Sequence, residues 1–532
     1  MMDDASILAN PSVHSFQQAD QVFSRSFGYG DLHYRPFYHV VNIYLYRFLK
    51  DEPRGYHFFA VFVFFVFCSL LFVVLERLFK NQQMAFLMSL LFLVHPIQGM
   101  VVNYITSYII PLSGIFFLLS ILCFIEFIEN RQGRLYFFSI AVFILGLFFY
   151  EQIMLLPIYL FCITYFFYKF DFKKSVLLTA AHLAIGLVFV VLAAVRSNAL
   201  THQASWNLPW DVRLASFLEL AGWYIEKLFY PQGIVLIYAI APATEQVFLK
   251  SILLVILALA LIWYFVRYRQ SDSLVFPCAW FAAGLCPVVV TMFIRRDAGL
   301  VIEPHWLFFA SIGFFMLLGM IFFKFSQRLK TAGVIFAAGV ILFFGLVSRN
   351  DNTLWKDAET YSRHWVKANP GNALAEYNLV SLAVDSGRFH EIVFYSGNLL
   401  NNFYYRPRVY YSLGTAWGIS KQYPLAREYF YKALAQKEFI PDLLEGLYMN
   451  LAISYILENN FKEAEDVFEE GLAELPRSTQ IAAGLTKLYF LEKKPNEAFS
   501  LLESYTEKYP KDEHLNEVIQ EVSKMNKAVK KK

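Results

Sequence analysis

A chain of 532 residues that is 57% hydrophobic and 18% aromatic, with a mean hydropathy of +0.44, is too apolar for a soluble protein of that length. Its net charge of +3, from 46 basic and 43 acidic residues, offers no polycationic surface, so nucleic acid is not among the expected partners. The five cysteines, Cys68, Cys123, Cys162, Cys278 and Cys286, lie in apolar runs without metal-ligand spacing and read as small core residues.

Residues 1–57 form an N-terminal segment with two polar motifs. Asp3-Asp4 opens the run Asp-Asp-Ala-Ser-Ile-Leu-Ala-Asn-Pro. Adjacent carboxylates serve as base and orienting group, or hold a divalent metal. A solvated tail carries such a pair equally well. Tyr34-Arg35-Pro36 precedes an aromatic stretch ending at Lys50. Its guanidinium is suited to clamp a phosphate through two bonds, or to snorkel among interfacial aromatics.

A bilayer-spanning helix needs roughly 20 mostly apolar residues. Ten candidates follow: 58–79, 84–102, 108–128, 135–150, 153–169, 176–195, 248–266, 274–293, 305–323 and 332–347. Loops holding Arg77/Lys80, Arg131/Arg134, Lys169/Lys173/Lys174, Arg267/Arg269 and Lys324/Arg328/Lys330 alternate with loops poor in positive charge. Positive loops face the cytoplasm. Both the N-terminal segment and the region after residue 348 are then expected outside it. The outer loop 196–247 carries Trp206, Trp210 and Trp223 and an amphipathic stretch, Leu214–Tyr230, that reads as interfacial or re-entrant. Met1-Met2-Asp3-Asp4 has neither a basic n-region nor an apolar h-region. An outer N-terminal segment without a signal peptide needs either a first helix upstream, which we expect, or translocation by the next span.

Polar groups at membrane depth or at its rim are costly and mark functional sites by default. Three more places qualify. His95-Pro96-Ile97-Gln98 lies near the outer end of the second span, where Pro96 kinks or ends the helix, and the His is a ligand-site group or a hydrogen-bonded rim residue. Glu151 sits in the outer turn between two spans, with Pro157 beyond it, where a carboxylate positions a hydroxyl acceptor or simply punctuates the turn. Glu303-Pro304-His305-Trp306 opens the ninth span, after Arg295-Arg296-Asp297. Arg295 and Arg296 are suited to hold a phosphate, or to snorkel. All of these groups fall on the expected outer side.

After Ser348 the composition changes to a charged region with a 34-residue beat. Ala358, Ile392, Ala426, Ala464 and Ala498 are separated by 34, 34, 38 and 34 residues. Leu379, Leu413, Leu451 and Leu485 stand 13 residues before the last four. Pro370, Pro476 and Pro510 each follow their ladder position by 12. This is the tetratricopeptide pattern, with a four-residue insertion near Phe439–Leu443 in the longer step. Stacked pairs build a solenoid that binds a protein segment or serves as a spacer. The expected organisation is therefore an N-terminal segment 1–57, a multi-span membrane domain 58–348, a repeat domain 349–515 and a Lys-rich tail 516–532.

The order Asp-Asp…Asn-Pro (3–11), Tyr-Arg-Pro (34–36), His-Pro-Ile-Gln (95–98), Glu…Pro (151, 157), Ser-Ile-Gly-Phe-Phe (311–315), then tetratricopeptide repeats, resembles the membrane proteins that join a GT-C glycosyltransferase body to such repeats. These include the transmembrane-and-TPR protein O-mannosyltransferases and bacterial relatives. The resemblance implies an all-α polytopic body followed by an α-solenoid. It implies a first helix immediately before Asp3, and makes Asp3 and Asp4 the catalytic pair. The donor would be a polyprenyl-phosphate sugar and the acceptor a protein or glycan hydroxyl. Arg35 would stabilise the leaving phosphate, with His95, Glu151, Arg295, Arg296 and His305 as further donor- or substrate-binding candidates. The membrane is a bacterial envelope or a eukaryotic secretory one; the His-Pro-Ile-Gln form looks more like the bacterial relatives, which favours a bacterial inner membrane, with the repeat arm outside the cytoplasm by the charge alternation. Four family positions that commonly carry charge hold Met100, Tyr108, Tyr150 and Trp306 instead. Two functions remain open: a glycosyltransferase, or a non-catalytic membrane scaffold whose repeats recruit a partner protein.

Overall fold

The computed structural model describes residues 34–50, 52–196, 210–240, 245–267, 272–286, 300–402, 404–510, 512 and 514–520. The chain divides into two compact units, with the boundary between His364 and Trp365.

The first unit is a bundle of apolar helices. Helix α1 (Pro36–Leu49) precedes α2 (Pro53–Phe79) and α3 (Gln82–Val94). Pro at the first helical position starts both α1 and α2, and the Asn81 side chain caps α3 by accepting from the Met84 amide. A 3-10 turn, Pro96–Gln98, and the short α4 (Gly99–Asn103) continue from α3 after a bend of 57°. The second expected span, 84–102, is therefore broken at His95-Pro96, where the proline was expected to kink or end the helix. Proline has no amide hydrogen to donate and clashes with the preceding turn, which is why the break falls there.

Helix α5 (Ile109–Asn130) and α6 (Gly133–Leu147) form an antiparallel pair. A 3-10 turn, Glu151–Leu155, leads into α7 (Leu156–Cys162), which ends in a π-turn over Ile163–Phe167. Helices α8 (Phe172–Arg196) and α9 (Trp210–Phe229) follow, then a strand β1 (Tyr238–Ile240), α10 (Glu245–Arg267) and α11 (Asp272–Gly284). Strand β2 (Leu300–Ile302) pairs antiparallel with β1, a minor addition to an otherwise all-α unit. Helix α12 (Phe308–Leu329) packs against α3 and α11, and α13 (Thr331–Leu354) closes the bundle.

Among the described residues, five helices are long and apolar enough to cross a membrane: Pro53–Phe79, Ile105–Asn130, Phe172–Ala193, Pro304–Leu329 and Thr331–Leu354. The bent pair from Gln82 to Asn103 makes a sixth. Shorter apolar helices, Gly133–Leu147, Glu151–Phe167, Leu249–Ala260 and Leu274–Gly284, fall on the other four expected spans. Helix α8 exposes Leu187, Val188 and Val191, and α13 exposes Ile335, Phe343 and Leu346. Side chains of this kind, without protein cover, suit contact with lipid.

Charges gather at the two ends of the bundle. At one end Arg77 pairs with Glu126 at 2.7 Å and Glu129 at 3.2 Å, Lys80 approaches Glu129 at 3.7 Å, and the Tyr168 hydroxyl donates to Glu129 at 3.1 Å. Lys80, Arg131 and Lys169 end their helical stretches at this end with φ of 51°, 55° and 57°. The left-handed conformation stops a helix, and a cation there meets the negative end of its dipole. Three of the basic loops thus open on a cation that terminates the preceding helical stretch.

The second unit is a stack of antiparallel helix pairs. The boundary between the units falls within an opening helix, α14 (Ala358–Ala368). The pairs are α15 (Ala373–Asp385) with α16 (Phe389–Leu399), and α17 (Arg406–Ile419) with α18 (Tyr423–Leu434). They continue with α19 (Leu444–Ile456) and α20 (Phe461–Glu474), then α21 (Thr479–Leu491) and α22 (Pro495–Lys508). The ladder residues Ile392, Ala426, Ala464 and Ala498 are all buried, as are Leu379, Leu413, Leu451 and Leu485. The four-residue insertion forms a turn around Lys437–Phe439 whose end buries Ile440. Ala464→Leu forces three extra carbons into a site with 0% exposure. It should destabilise this unit by about 2 kcal/mol, read as a lowered melting midpoint of the full chain. An unchanged midpoint would contradict the ladder packing.

Candidate functional site

The end of the bundle opposite the Arg77–Glu129 network collects most of the described polar candidates. Arg35 stands just before α1, where Pro36 fixes the backbone and starts the helix. Glu151 begins the 3-10 turn after α6. The two meet 116 residues apart: Arg35 Nε donates to Glu151 Oε2 at 2.7 Å and Nη2 to Oε1 at 2.5 Å. Their side chains are 20% and 31% exposed. The guanidinium also lies over the Tyr150 ring, 4.6 Å from its centroid. Burial alone would lower the Arg35 pKa. The Glu151 carboxylate, by charge and by hydrogen bond, together with Tyr150 and Tyr38, outweighs that and raises it, so the cation is held firmly. His39, one turn further on, is pushed down to about 4, first by burial and then by Arg35, and is neutral at physiological pH.

Glu303 and His305 flank Pro304 at the entry to α12 and pair at 3.2 Å. The β1–β2 pairing holds the strand that delivers them, and the Tyr224 hydroxyl of α9 donates to the Glu303 carbonyl at 3.0 Å. The Glu303 carboxylate acts electrostatically on the hydroxyls of both Tyr150 and Tyr224. Arg35, Tyr150, Glu151, Tyr224, Glu303 and His305 therefore belong to one neighbourhood.

His95 is different. It is 1% exposed, accepts from the Ile97 amide through Nδ1 at 3.2 Å and reaches the Leu228 carbonyl through Nε2 at 3.1 Å. An acceptor Nδ1 requires the proton on Nε2, so the ring is a neutral cap that pins the α3 break to the end of α9. Gln98 Nε2 donates to Ser311 Oγ at 3.2 Å, joining the same break to α12. These are positioning contacts, and His95 offers no ring nitrogen to a donor. Asp3, Asp4, Arg295 and Arg296 lie outside the described residues. Among the described residues no group of three or more His, Cys, Asp or Glu is placed to hold a metal.

The aromatic supports of the site were not foreseen from the sequence. Tyr108 is 1% exposed and donates to Asn42 Oδ1 on α1 at 2.6 Å, while Tyr150 lies against Arg35. Two tyrosines thus both brace α1 and its leading arginine. Glu219, on α9, was also missed. It is 6% exposed, its Oε2 has no hydrogen-bond partner, and burial pushes its pKa up to about 7. A lone Glu in an amphipathic stretch gives no sequence signal for this.

The fold defines a polytopic helical membrane protein that carries a tetratricopeptide solenoid. Residues 455–521 match the family model for the tetratricopeptide repeat. Over 405 residues the chain is 24% identical to a Caenorhabditis elegans protein named as a protein O-mannosyl-transferase. That match takes in 73% of this chain and 57% of the relative's length. The chain thus resembles the transmembrane-and-TPR protein O-mannosyltransferases.

Proposed function

We propose that the membrane body is a GT-C-type glycosyltransferase. It moves a sugar, mannose by the name of the relative, from a polyprenyl-phosphate donor to a protein or glycan hydroxyl on the extracytoplasmic face. The observation that carries this reading is the neighbourhood of Arg35, Glu151, Glu303 and His305 at the bundle end away from the basic helix terminators. By the positive-inside rule that end faces out, in a bacterial envelope or a secretory membrane. In this reading Glu151 orients the guanidinium through one edge, and Arg35 meets the negative charge that develops on the departing lipid phosphate. Asp3 or Asp4 takes the acceptor proton as the acceptor oxygen bonds to the anomeric carbon. The repeat arm engages the acceptor protein.

A scaffold that has lost catalysis is the second reading. Its support is that Met100 and Tyr108, where the family commonly carries charge, are buried at 4% and 1% and serve packing. Donor binding separates the two. Purified full chain in nanodiscs, incubated with tritiated polyprenyl-phosphate mannose, should retain label. Arg35→Ala should lose it, while Asp3→Asn retains it, because the carboxylate acts on the acceptor. No retention by the wild-type chain with any polyprenyl-phosphate sugar would favour the scaffold.

A further inference from the structure

The four helix pairs of the repeat unit repeat an exposed pattern as well as a buried one. Asp385, Ile419, Leu457 and Leu491 occupy the same position, the last residue or first residue beyond the leading helix of each pair. The last three are exposed aliphatics, at 59%, 55% and 58%. Ile453, one turn before Leu457, adds a further 40% exposed side chain. Two residues beyond the stripe stand Gly387, Lys421, Asn459 and Lys493, all with φ near +60°. Lys421 and Lys493 are exposed. The pattern is therefore apolar along three pairs, with cations beside two of them and Asp385 at one end.

Successive leading helices pack directly on one another, as the Asn450 Nδ2 bond to the Tyr411 hydroxyl at 3.1 Å shows for α19 and α17. Packed helices are about 9 Å apart. A polyproline II segment advances about 9 Å per three-residue turn and returns every third side chain to the same face. A chain crossing the pairs meets Ile419, Leu457 and Leu491 with one side chain in three. The lysines favour carboxylates at the positions between.

We propose that this edge binds an extended, acidic segment of a protein, with an apolar residue at every third position. The proposal rests on the reading that the arm engages a protein, and it holds for an acceptor or a recruited partner alike. Lysines at this position also suit the helix C-terminus, so the charge and the stripe are tested separately.

The probe is a fluorescent synthetic peptide of about twelve residues, four polyproline II turns, with Leu at every third position and Asp and Pro between. Anisotropy is read against the full chain in nanodiscs. The wild type should bind it in preference to a scrambled peptide. The triple variant Ile419→Asp, Leu457→Asp, Leu491→Asp and the double variant Lys421→Glu, Lys493→Glu should each weaken binding about tenfold or more. These side chains are exposed, and a melting midpoint checks that the variants fold. Equal binding of the scrambled peptide or unchanged affinity in both variants overturns the proposal. So does binding of the chain to phosphatidylglycerol vesicles in place of the peptide. Because binding is read without sugar transfer, failure here leaves the glycosyltransferase reading standing, and a chain without transferase activity leaves this one standing.

Discussion

Glu151→Ala should destabilise the membrane body by about 3 kcal/mol, near the lower end of what removing one partner of a buried ion pair costs. The lower end applies because the two side chains keep 20% and 31% of their exposure. The substitution strands the Arg35 cation against the Tyr150 ring, with the carboxylate that raises its pKa gone. Arg35→Met with Glu151→Met removes both charges and should melt closer to the wild type than Glu151→Ala alone, since no charge is left uncompensated. Thermal scans in detergent decide it. A single variant as stable as the wild type would mean the pair does not hold α1 to the turn after α6.

Gly313→Ala should have a comparable effect through packing alone. A Cβ at Gly313 would lie 2.5 Å from the Pro277 carbonyl oxygen and 2.7 Å from the Phe281 amide nitrogen. These are backbone atoms of α11 and cannot rotate away. On the facing side, a Cβ at Gly284 would clash with the Ala310 Cα. Helices in lipid gain little from hiding apolar surface from one another and rely on close packing across small residues. Separating α11 from α12 should cost about 3 kcal/mol, the upper range for overpacking, and lower the yield of monodisperse protein in fluorescence-detected size exclusion. Gly339→Ala on α13 is the control, because nothing lies within 4 Å of its added methyl. It should be neutral or stabilising, by about 0.5–1 kcal/mol from reduced unfolded-chain freedom. Loss of yield in both variants alike would remove the packing explanation.

The large-scale plan was legible because it rests on periodic and compositional signals. Runs of apolar residues marked the spans, and the repeat of Ala426, Ala464 and Ala498 marked the solenoid, since each repeat must bury the same positions. Lys80, Arg131 and Lys169 were legible as loop residues because each ends a helical stretch. The break of the second span at Pro96 was half visible: proline announced it, but not that the chain resumes as a helix bent by 57°. The site was legible only as separate motifs. Nothing local joins Arg35 to Glu151, and the sequence alone admitted a free phosphate clamp where the fold supplies a carboxylate partner. His95 was open on sequence between a ligand-site group and a hydrogen-bonded rim residue, and its contacts are those of a backbone cap. Tyr108 and Tyr150 looked like losses of charge. In place they are braces for α1 and Arg35, a role that depends on contacts far apart in the chain.

The claim that the body is a lipid-donor glycosyltransferase is tested most directly by transfer itself. Full chain reconstituted in nanodiscs would be given polyprenyl-phosphate mannose, labelled in the sugar, and a hydroxyl-bearing peptide. Labelled peptide and free polyprenyl phosphate should appear together in equal amounts, and Asp3→Asn with Asp4→Asn should abolish both. Absence of transfer from a chain that retains bound donor, or transfer undiminished in the double variant, would contradict it.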